Sequence, residues 1–472
     1  MTRTIQSQII DSLSAHFDEI GRKLFVIGTD SLANRHPGEH PGNFGAGVMA
    51  FPENGEDVAQ IVRWCGRNGV GIVPQGGRTG LVGGSVSRPG ELILSSERLD
   101  RIESIDPASR TATVQAGVTL EALQAAALAH GLTPGIDLAS RGSATIGGMV
   151  STNAGGILAF RSGVMRHQVL GLEAVLPDGS IFSDLTRVVK TSAGPDVKHL
   201  LIGAEGAYGF VTRAVVKLEA LRTARATALV GVRDAASALT VAGYFQGLAT
   251  VGLEGAELMW RDFLLDSAAA HGVDLGFAGE DTRAALLIDI SAESADAATA
   301  ALEEGLGALW ESAGLTDGVV AQSLDQSRRF WMLREASDFI YRLHPAAPSF
   351  DVSLPPAELD RYVEGLRERL RGVDPAFGAY VYGHIADGNL HVSVTHAGKV
   401  DEALLLLIEE AVYSGITGLG GSFSAEHGIG LEKRHAYLSH GNEARRLLAQ
   451  SIKACLDPAG LFNRGKVPYR ND

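Results

Sequence analysis

Two short stretches hold the residues best suited to chemistry: Tyr382-Gly383-His384-Ile385-Ala386-Asp387-Gly388-Asn389-Leu390-His391, and Ser424-Ala425-Glu426-His427-Gly428-Ile429-Gly430. An Asp-Gly pair between apolar, β-prone segments predicts a hairpin with a two-residue turn at Asp387-Gly388. That turn pairs Ala386 with Asn389, Ile385 with Leu390, and His384 with His391. Directly paired residues place their Cβ atoms roughly 5 Å apart on one face, close enough for two imidazoles to share one metal ion. Strand alternation adds Tyr382, Asn389 and Ser393 to the same face. Glu426 offers a carboxylate, and two His with one Glu form a zinc set that leaves a coordination position open for substrate. His427, beside it in the chain, is placed to act as a base. Manganese, iron and cobalt also suit an N2O site. On spacing alone, ordinary surface or satisfied core histidines remain the competing reading.

Glycine is the outlier of the composition, with 58 residues. One glycine-rich loop, Gln75-Gly76-Gly77-Arg78-Thr79-Gly80-Leu81-Val82-Gly83-Gly84, follows a short predicted strand, Val70 to Pro74, and precedes another, Glu91 to Ser95. A second loop runs from Gly142 through Thr145-Ile146-Gly147-Gly148 to Asn153, Gly155 and Gly156. A third is Gly203-Ala204-Glu205-Gly206-Ala207-Tyr208-Gly209-Phe210-Val211. Backbone without Cβ atoms lets N–H groups close on a phosphate. None of the loops ends in G-K-[ST], and none is a G-x-G-x-x-G opening a long helix, so neither a P-loop nor a Rossmann fingerprint is present. Each loop alone reads as a set of turns; three together fit a long cofactor lying across several backbone loops, such as a dinucleotide with two phosphates.

The elements that must position these groups form two textures. Up to about residue 220 the chain is glycine-rich, with a predicted helix from Glu56 to Arg67. From about Leu221 longer amphipathic stretches take over: strands at Arg222 to Val232 and Ala284 to Ile290, helices at Ala235 to Leu248, Ser294 to Ser312 and Pro356 to Arg371. This alternation predicts an α+β domain with helices on one face of an antiparallel sheet. A helix over Glu443 to Leu456 stops at Asp457-Pro458-Ala459-Gly460, and the tail from Leu461 to Val467 reads as a polar loop.

A chain of 472 residues exceeds one hydrophobic core, so two or three domains are expected. Hydrophobic residues at 45% and charged residues at 20% describe a globular protein, and a net charge of −14 without a dense basic run argues against a nucleic-acid partner. Cys65 and Cys455 lie far apart, leaving no set for an iron–sulfur cluster or a disulfide framework. The segment Thr2 to Leu24 reads as an amphipathic helix carrying Asp11, Asp18 and Glu19, unlike a signal or transit peptide. With no apolar run near the roughly 18 residues a membrane span needs, a cytoplasmic location is expected.

Taken in order, the motifs Pro74-Gln75-Gly76-Gly77-Arg78-Thr79, Thr145-Ile146-Gly147-Gly148, Glu205-Gly206, Gly383-His384, Asp387-Gly388-Asn389-Leu390-His391 and Glu426-His427-Gly428-Ile429-Gly430 resemble the FAD-linked oxidase family with a vanillyl-alcohol-oxidase or PCMH-type flavin domain. Within it the chain looks most like the D-2-hydroxyacid dehydrogenases acting on D-2-hydroxyglutarate, D-lactate or glycolate. The resemblance runs from about Pro41 to Val467. It implies a PCMH-type FAD-binding domain over 1–220, an α+β, ferredoxin-like substrate cap over 221–425, and a C-terminal segment, 426–472, returning to the flavin. Pro74, Gln75, Gly76, Gly77, Arg78, Thr79, Gly80 and Leu81 would hold the FAD pyrophosphate. Thr145, Ile146, Gly147, Gly148, Asn153, Gly155, Gly156, Glu205, Gly209 and Val211 would line the rest, with Asn463 at the flavin ring. Relatives that attach FAD covalently through this loop use a histidine; Gly77, Arg78 and Thr79 stand here, so non-covalent FAD is expected. The resemblance places the metal, zinc first, on His384, His391 and Glu426. His427 would be the base and Arg334 the partner of the substrate carboxylate, with hydride passing from C2 to the flavin.

The sequence departs from the 2-hydroxyglutarate pattern at two positions. Asp338 stands where Thr is usual and Ser349 where Lys is usual, which weakens any hold on a distal carboxylate; Arg342 and His344 are the replacement cations nearby in sequence. Asp338, Ser349, Tyr382, Asn389 and Ser393 join Arg334 as expected substrate contacts. Ala386 in the hairpin and Arg464 in the tail replace a common Gly and Pro without removing a functional group. Electrons leaving the flavin call for an external acceptor, an electron-transfer flavoprotein, a quinone or a cytochrome, and a homodimer is compatible with the chain. Two other readings stay open: a metallohydrolase using His384, His391 and Glu426, and a flavin-containing electron-relay subunit.

Overall fold

The structure is a computed structural model that describes residues 5–276 and 279–469. Contacts divide the chain into two compact units, one formed by the residues up to Leu221 together with those from Glu426 onward, the other by Arg222–Ala425. The second unit is therefore an insertion in the first.

The first unit holds two sheets. In one, Phe25–Gly28, Val48–Phe51, Glu91–Ser95 and Gly71–Gln75 lie side by side in that order; Glu91–Ser95 runs parallel to both of its neighbours. The other is antiparallel, in the order Ile102–Asp106, Thr111–Gln115, Phe210–Ala220, Val169–Val175, Ile181–Asp184, with Leu132–Pro134 added along Phe210–Ala220. One core joins Ile72, Leu92 and Leu94 of the first sheet to Ala112, Leu172 and Val216 of the second. The helix Gly55–Asn68 seals it with Val58, Ile61, Val62 and Trp64; Asn54 caps its N-terminus by accepting from Asp57 N–H, and Gly69 ends it in the left-handed region. The N-terminal helix spans Ile5–Glu19 and buries Ile9, Leu13 and Phe17; Thr2 to Thr4 of the expected helix lie outside the described residues.

The tail differs from the polar loop expected of it. Leu461 and Phe462 are buried in the core, and residues around them add a short parallel bridge to the Gly71–Gln75 strand: Ile72 N–H donates to Leu461 O at 2.8 Å and Asn463 N–H to Ile72 O at 2.8 Å. An unpaired strand edge supplied this partner, which the tail's own composition does not announce.

The second unit is built on a seven-stranded antiparallel sheet in the order Leu315–Val320, Arg225–Val232, Ala284–Ser291, Gly252–Trp260, Gly378–His384, Asn389–Thr395, Ser349–Ser353. Helices cover both faces of its centre, not one as expected. Met259, Leu287 and Leu229 pack against Phe263 of Arg261–His271 and Phe330 and Leu333 of Leu324–Glu335. Their strand neighbours Leu258, Leu286 and Val230 point the other way and are equally buried, on the side that carries Ala235–Gly247 and Ala295–Leu309. The run Ala284-Ala285-Leu286-Leu287-Ile288 is continuous, not alternating, and that is the pattern of a strand buried on both faces.

Candidate functional site

In the second unit the hairpin forms, but in another register. Its strands end at His384 and resume at Asn389, so the loop is Ile385-Ala386-Asp387-Gly388, and the pairs are His384 with Asn389, Gly383 with Leu390 and Tyr382 with His391. A type I′ turn needs positive φ at both central residues; of Asp387 and Gly388 only Gly388 has it, at +76°. The third strand explains the choice. Leu354 N–H donates to Gly388 O at 3.0 Å, and a Cβ on residue 388 would sit 1.9 Å from Leu354 O, so glycine serves a close approach between strands. The slip relative to the expected pairing is two residues, an even number, so every side chain stays on its expected face. His384 and His391 are diagonal neighbours with ring centroids 5.5 Å apart, and Tyr382, Asn389 and Ser393 share their face.

Glu257 organises this face, and the sequence reading missed it. Its Oε1 receives His384 Nδ1 at 2.6 Å and its Oε2 receives Arg334 Nε at 2.6 Å, all three groups being buried. Burial pushes the Glu257 carboxyl up, but the His384 imidazole and the Arg334 guanidinium outweigh it and hold the group at about 2. A carboxylate on Nδ1 fixes the ring and puts the lone pair on Nε2, the arrangement found behind metal-binding histidines. Arg334 also lies over the Tyr382 ring, 4.8 Å from its centroid, and that ring stacks on Phe263 at 4.1 Å. On the strand beside the hairpin, Asp351 pairs in register with His391 and shares its face; its Oδ1 accepts from Asn389 Nδ2 at 2.8 Å and its Oδ2 from Ala425 N–H at 3.0 Å. The signal for Glu257 was a carboxylate inside the apolar strand sequence Gly252–Trp260.

The expected substrate contacts separate. Ser349 and Ser393 pair across strands with their hydroxyls 2.9 Å apart, and Tyr341 OH lies 2.9 Å from Ser349 Oγ. Asp338 instead sits at the surface, 69% exposed, in an ion pair with Arg342 at 3.4 Å. An exposed i,i+4 pair of this kind contributes little stability.

The first unit contains a cavity of about 450 Å3 whose lining is rich in glycine. Pro74, Gln75, Gly76, Gly77, Arg78, Thr79, Gly80 and Leu81 line it, as do Thr145, Gly147, Gly148, Gly155, Glu205, Gly209 and Val211. The Pro74–Leu81 loop is pressed against the second glycine loop: a Cβ on Gly77 would meet Ser143 O at 1.9 Å. Arg78 holds the loop with φ at +59° and pairs with Glu97 at 3.0 Å. Thr145 caps the helix Ile146–Thr152, accepting from Gly148 N–H, while Ile146 N–H and Gly147 N–H donate to Val118 O and Ala116 O, so the first turn beside the cavity is anchored to the neighbouring loop and has its N–H groups satisfied. Ile146, Asn153, Gly156 and Asn463 stand behind the wall. Ile146 is core; Asn153 ends the helix and accepts from Arg166 N–H at 2.9 Å. Asn463 donates to Glu205 O at 2.6 Å and accepts from Lys466 Nζ at 2.6 Å.

Glu426 and His427 line the same cavity. Gly156 N–H donates to Glu426 Oε1 at 2.8 Å, which fixes the carboxylate from the backbone. Glu205 grips the next residues: Ile429 N–H reaches its Oε1 at 2.7 Å and Gly430 N–H its Oε2 at 2.8 Å. Its carboxyl is raised by burial, which outweighs these two N–H donors and the charges of Lys466 and Lys433. Glu205 is thus a clasp for the His427 loop. A cavity lined by three glycine-rich loops fits a bound diphosphate-containing cofactor.

Residues 46–184 match the FAD binding domain, and residues 221–467 match the C-terminal domain of FAD linked oxidases. D-2-hydroxyglutarate dehydrogenase of Xanthomonas citri pv. viticola is 35% identical over 430 residues, 90% of each chain. The mitochondrial D-2-hydroxyglutarate dehydrogenase of Arabidopsis thaliana is 35% identical over 424 residues, 89% of this chain and 74% of that one. Among solved structures, p-cresol methylhydroxylase with substrate bound superposes with a TM-score of 0.71 at 15% identity, covering 99% of this chain and 98% of that one. 4-Ethylphenol oxidase from Gulosibacter chungangensis does so at 0.69 and 16% identity, covering 98% and 97%. At such identities the structures speak for the fold, a PCMH-type FAD-binding fold; the two domain matches and the sequence relatives together establish that this chain belongs to the FAD-linked oxidase family.

Proposed function

We propose that the protein oxidises a D-2-hydroxyacid to the 2-oxoacid, passing hydride from C2 to the flavin of non-covalently held FAD. In this reading a divalent cation, zinc first, is held by His384, His391 and Glu426, and His427 is the base. The observation that carries the reading is that Glu426 and His427 line the glycine-walled cavity of the first unit, so a proton acceptor and a metal ligand share a wall with the cofactor loops. The relatives named D-2-hydroxyglutarate dehydrogenase support the substrate class.

When bound, the flavin supplies a hydride acceptor and the cation a Lewis acid that acidifies the 2-hydroxyl. The chain's own residues do the rest. Glu257 keeps the His384 ring turned so that Nε2 carries the lone pair, and fixes the Arg334 guanidinium through Nε, leaving its Nη donors to receive a carboxylate. His427 takes the proton from the 2-hydroxyl. Glu205 keeps His427 in place by holding Ile429 and Gly430. The loop Pro74–Leu81 holds the pyrophosphate with N–H groups and Arg78 adds the charge, while Thr145, Gly147 and Gly148 line the rest of the cofactor. Asn463 supports the wall through Glu205 O. The residues 1–220 with 426–472 act as the flavin domain and 221–425 as the substrate cap. No helix among the described residues is long and apolar enough to cross a membrane; the reading places the protein in the cytoplasm, delivering electrons to an external flavoprotein, quinone or cytochrome.

The test is an anaerobic screen in which D- and L-2-hydroxyacids are added to the purified yellow protein, with and without a chelator. Bleaching by a D-acid that disappears on metal removal is the expected result. A purified protein that releases no flavin on denaturation overturns the reading.

A further inference from the structure

On the sheet face of the second unit, the strand that carries His391 continues two residues later, on the same side, to Ser393, roughly 7 Å along the strand. There the hydroxyls of Ser393, Ser349 and Tyr341 form a chain with 2.9 Å between successive oxygens. Ser349 and Tyr341 are open to solvent, so the chain ends at an accessible surface. The charged groups of the neighbouring elements have partners of their own. Asp338 and Arg342 pair with each other, Arg334 Nε is held by Glu257, and Tyr380, the other sheet partner of Ser393, donates to Asp266 at 2.5 Å. His344 lies against the Tyr380 ring, 5.8 Å between centroids, with its Nδ1 buried.

Three hydroxyls in a row can each donate and accept, so they match another hydroxyl as well as they match water. A carboxylate placed there would gain a cation only by drawing Arg342 away from Asp338, whereas a neutral hydroxyl needs none. We propose, resting on the functional reading above, that the substrate is a 2-hydroxyacid whose far end is neutral and hydroxylated, recognised by Tyr341, Ser349 and Ser393, and not a second carboxylate. These residues select the substrate's tail; they take no part in the proton or hydride steps at C2.

The experiment compares D-2,4-dihydroxybutyrate, D-2-hydroxybutyrate and D-2-hydroxyglutarate as reductants of the flavin in the holoenzyme under anaerobic conditions, reading the bleaching rate at low substrate. The dihydroxyacid is expected to exceed D-2-hydroxyglutarate at least tenfold. Ser349→Lys supplies the missing cation and is expected to shift that ratio at least tenfold towards D-2-hydroxyglutarate. Tyr341→Phe, an exposed change that leaves the fold alone, is expected to lower the dihydroxybutyrate to hydroxybutyrate ratio several-fold. Preference of the unmodified enzyme for D-2-hydroxyglutarate, or ratios that neither variant moves, overturns the inference and leaves the function standing. Bleaching by none of the three acids overturns the functional reading itself.

Discussion

Glu205 in the first unit and Glu257 in the second both sit where water is scarce, yet their carboxyls move in opposite directions. Burial raises Glu205 against two backbone N–H donors and the more distant charges of Lys466 and Lys433; Glu257, buried too, is in direct contact with an imidazole and a guanidinium and falls to about 2. The contrast extends to the regions around them. The cavity of the first unit is shaped by glycine-rich loops packed close together: a Cβ would strike backbone at Gly77 and Gly209 and side chains at Gly76 and Gly206. The sheet face of the second unit is shaped by functional groups that orient one another. A backbone site tolerates changes of charge and resists changes of shape, whereas a side-chain site does the reverse.

Four experiments sharpen or break this division. The largest effect is expected from His391→Ala or exhaustive chelation: the rate of flavin bleaching by the D-acid falls about a thousandfold, the several kcal/mol a Lewis-acidic cation supplies, while flavin absorbance per mole of protein stays constant. Loss of flavin along with the imidazole would break the division. Next comes Glu257→Gln, which leaves the buried Arg334 guanidinium without its anion and the His384 imidazole without its carboxylate. Chemical denaturation is expected to show a loss of about 3 kcal/mol, and metal analysis a fall of about tenfold or more in affinity. Gly77→Ala should cost about 2 kcal/mol through overpacking against Ser143 O; titration of the apoprotein with FAD should show weakened binding while metal content is unchanged.

The smallest effect concerns Asp289, on the same sheet as Glu257 but near another carboxylate, Glu254, with only the half-exposed Arg225 at 3.6 Å. Burial first, opposed by Arg225 and helped by Glu254, pushes its carboxyl up to about 6. A group raised on folding binds its proton more tightly in the folded state, so its contribution is present below about pH 4 and is lost as the pH rises towards 6. Asp289→Asn is therefore expected to melt like the unmodified protein near pH 4 and to be more stable at pH 8, by up to about 3 kcal/mol. Equal melting curves at both pH values would show that cations do not decide the fate of carboxylates on this sheet.

How far each region could be read from sequence follows the same division. The glycine loops stand out in composition, and all three reach the cavity, because a backbone site advertises itself through residues that lack side chains. The hairpin was also legible, but its register was not. The local turn rule for Asp387-Gly388 gave way to the approach of Leu354, more than thirty residues earlier, and the face survived only because the slip was even. Glu257 was illegible as a partner of His384 because 127 residues separate them, and no local pattern encodes such a contact. Coverage of both sheet faces was written in the unbroken apolar run at Ala284, while the burial of Phe462 depended on a remote strand edge.

The bridge between Ile72 and Phe462 has a consequence for synthesis. The second unit is contiguous and its last residue is made before residue 461, so it can begin to fold while the first unit still lacks the segment that bridges to Ile72. During that interval the Gly71–Gln75 edge is exposed on the nascent chain, and the domain translated first is the one finished last.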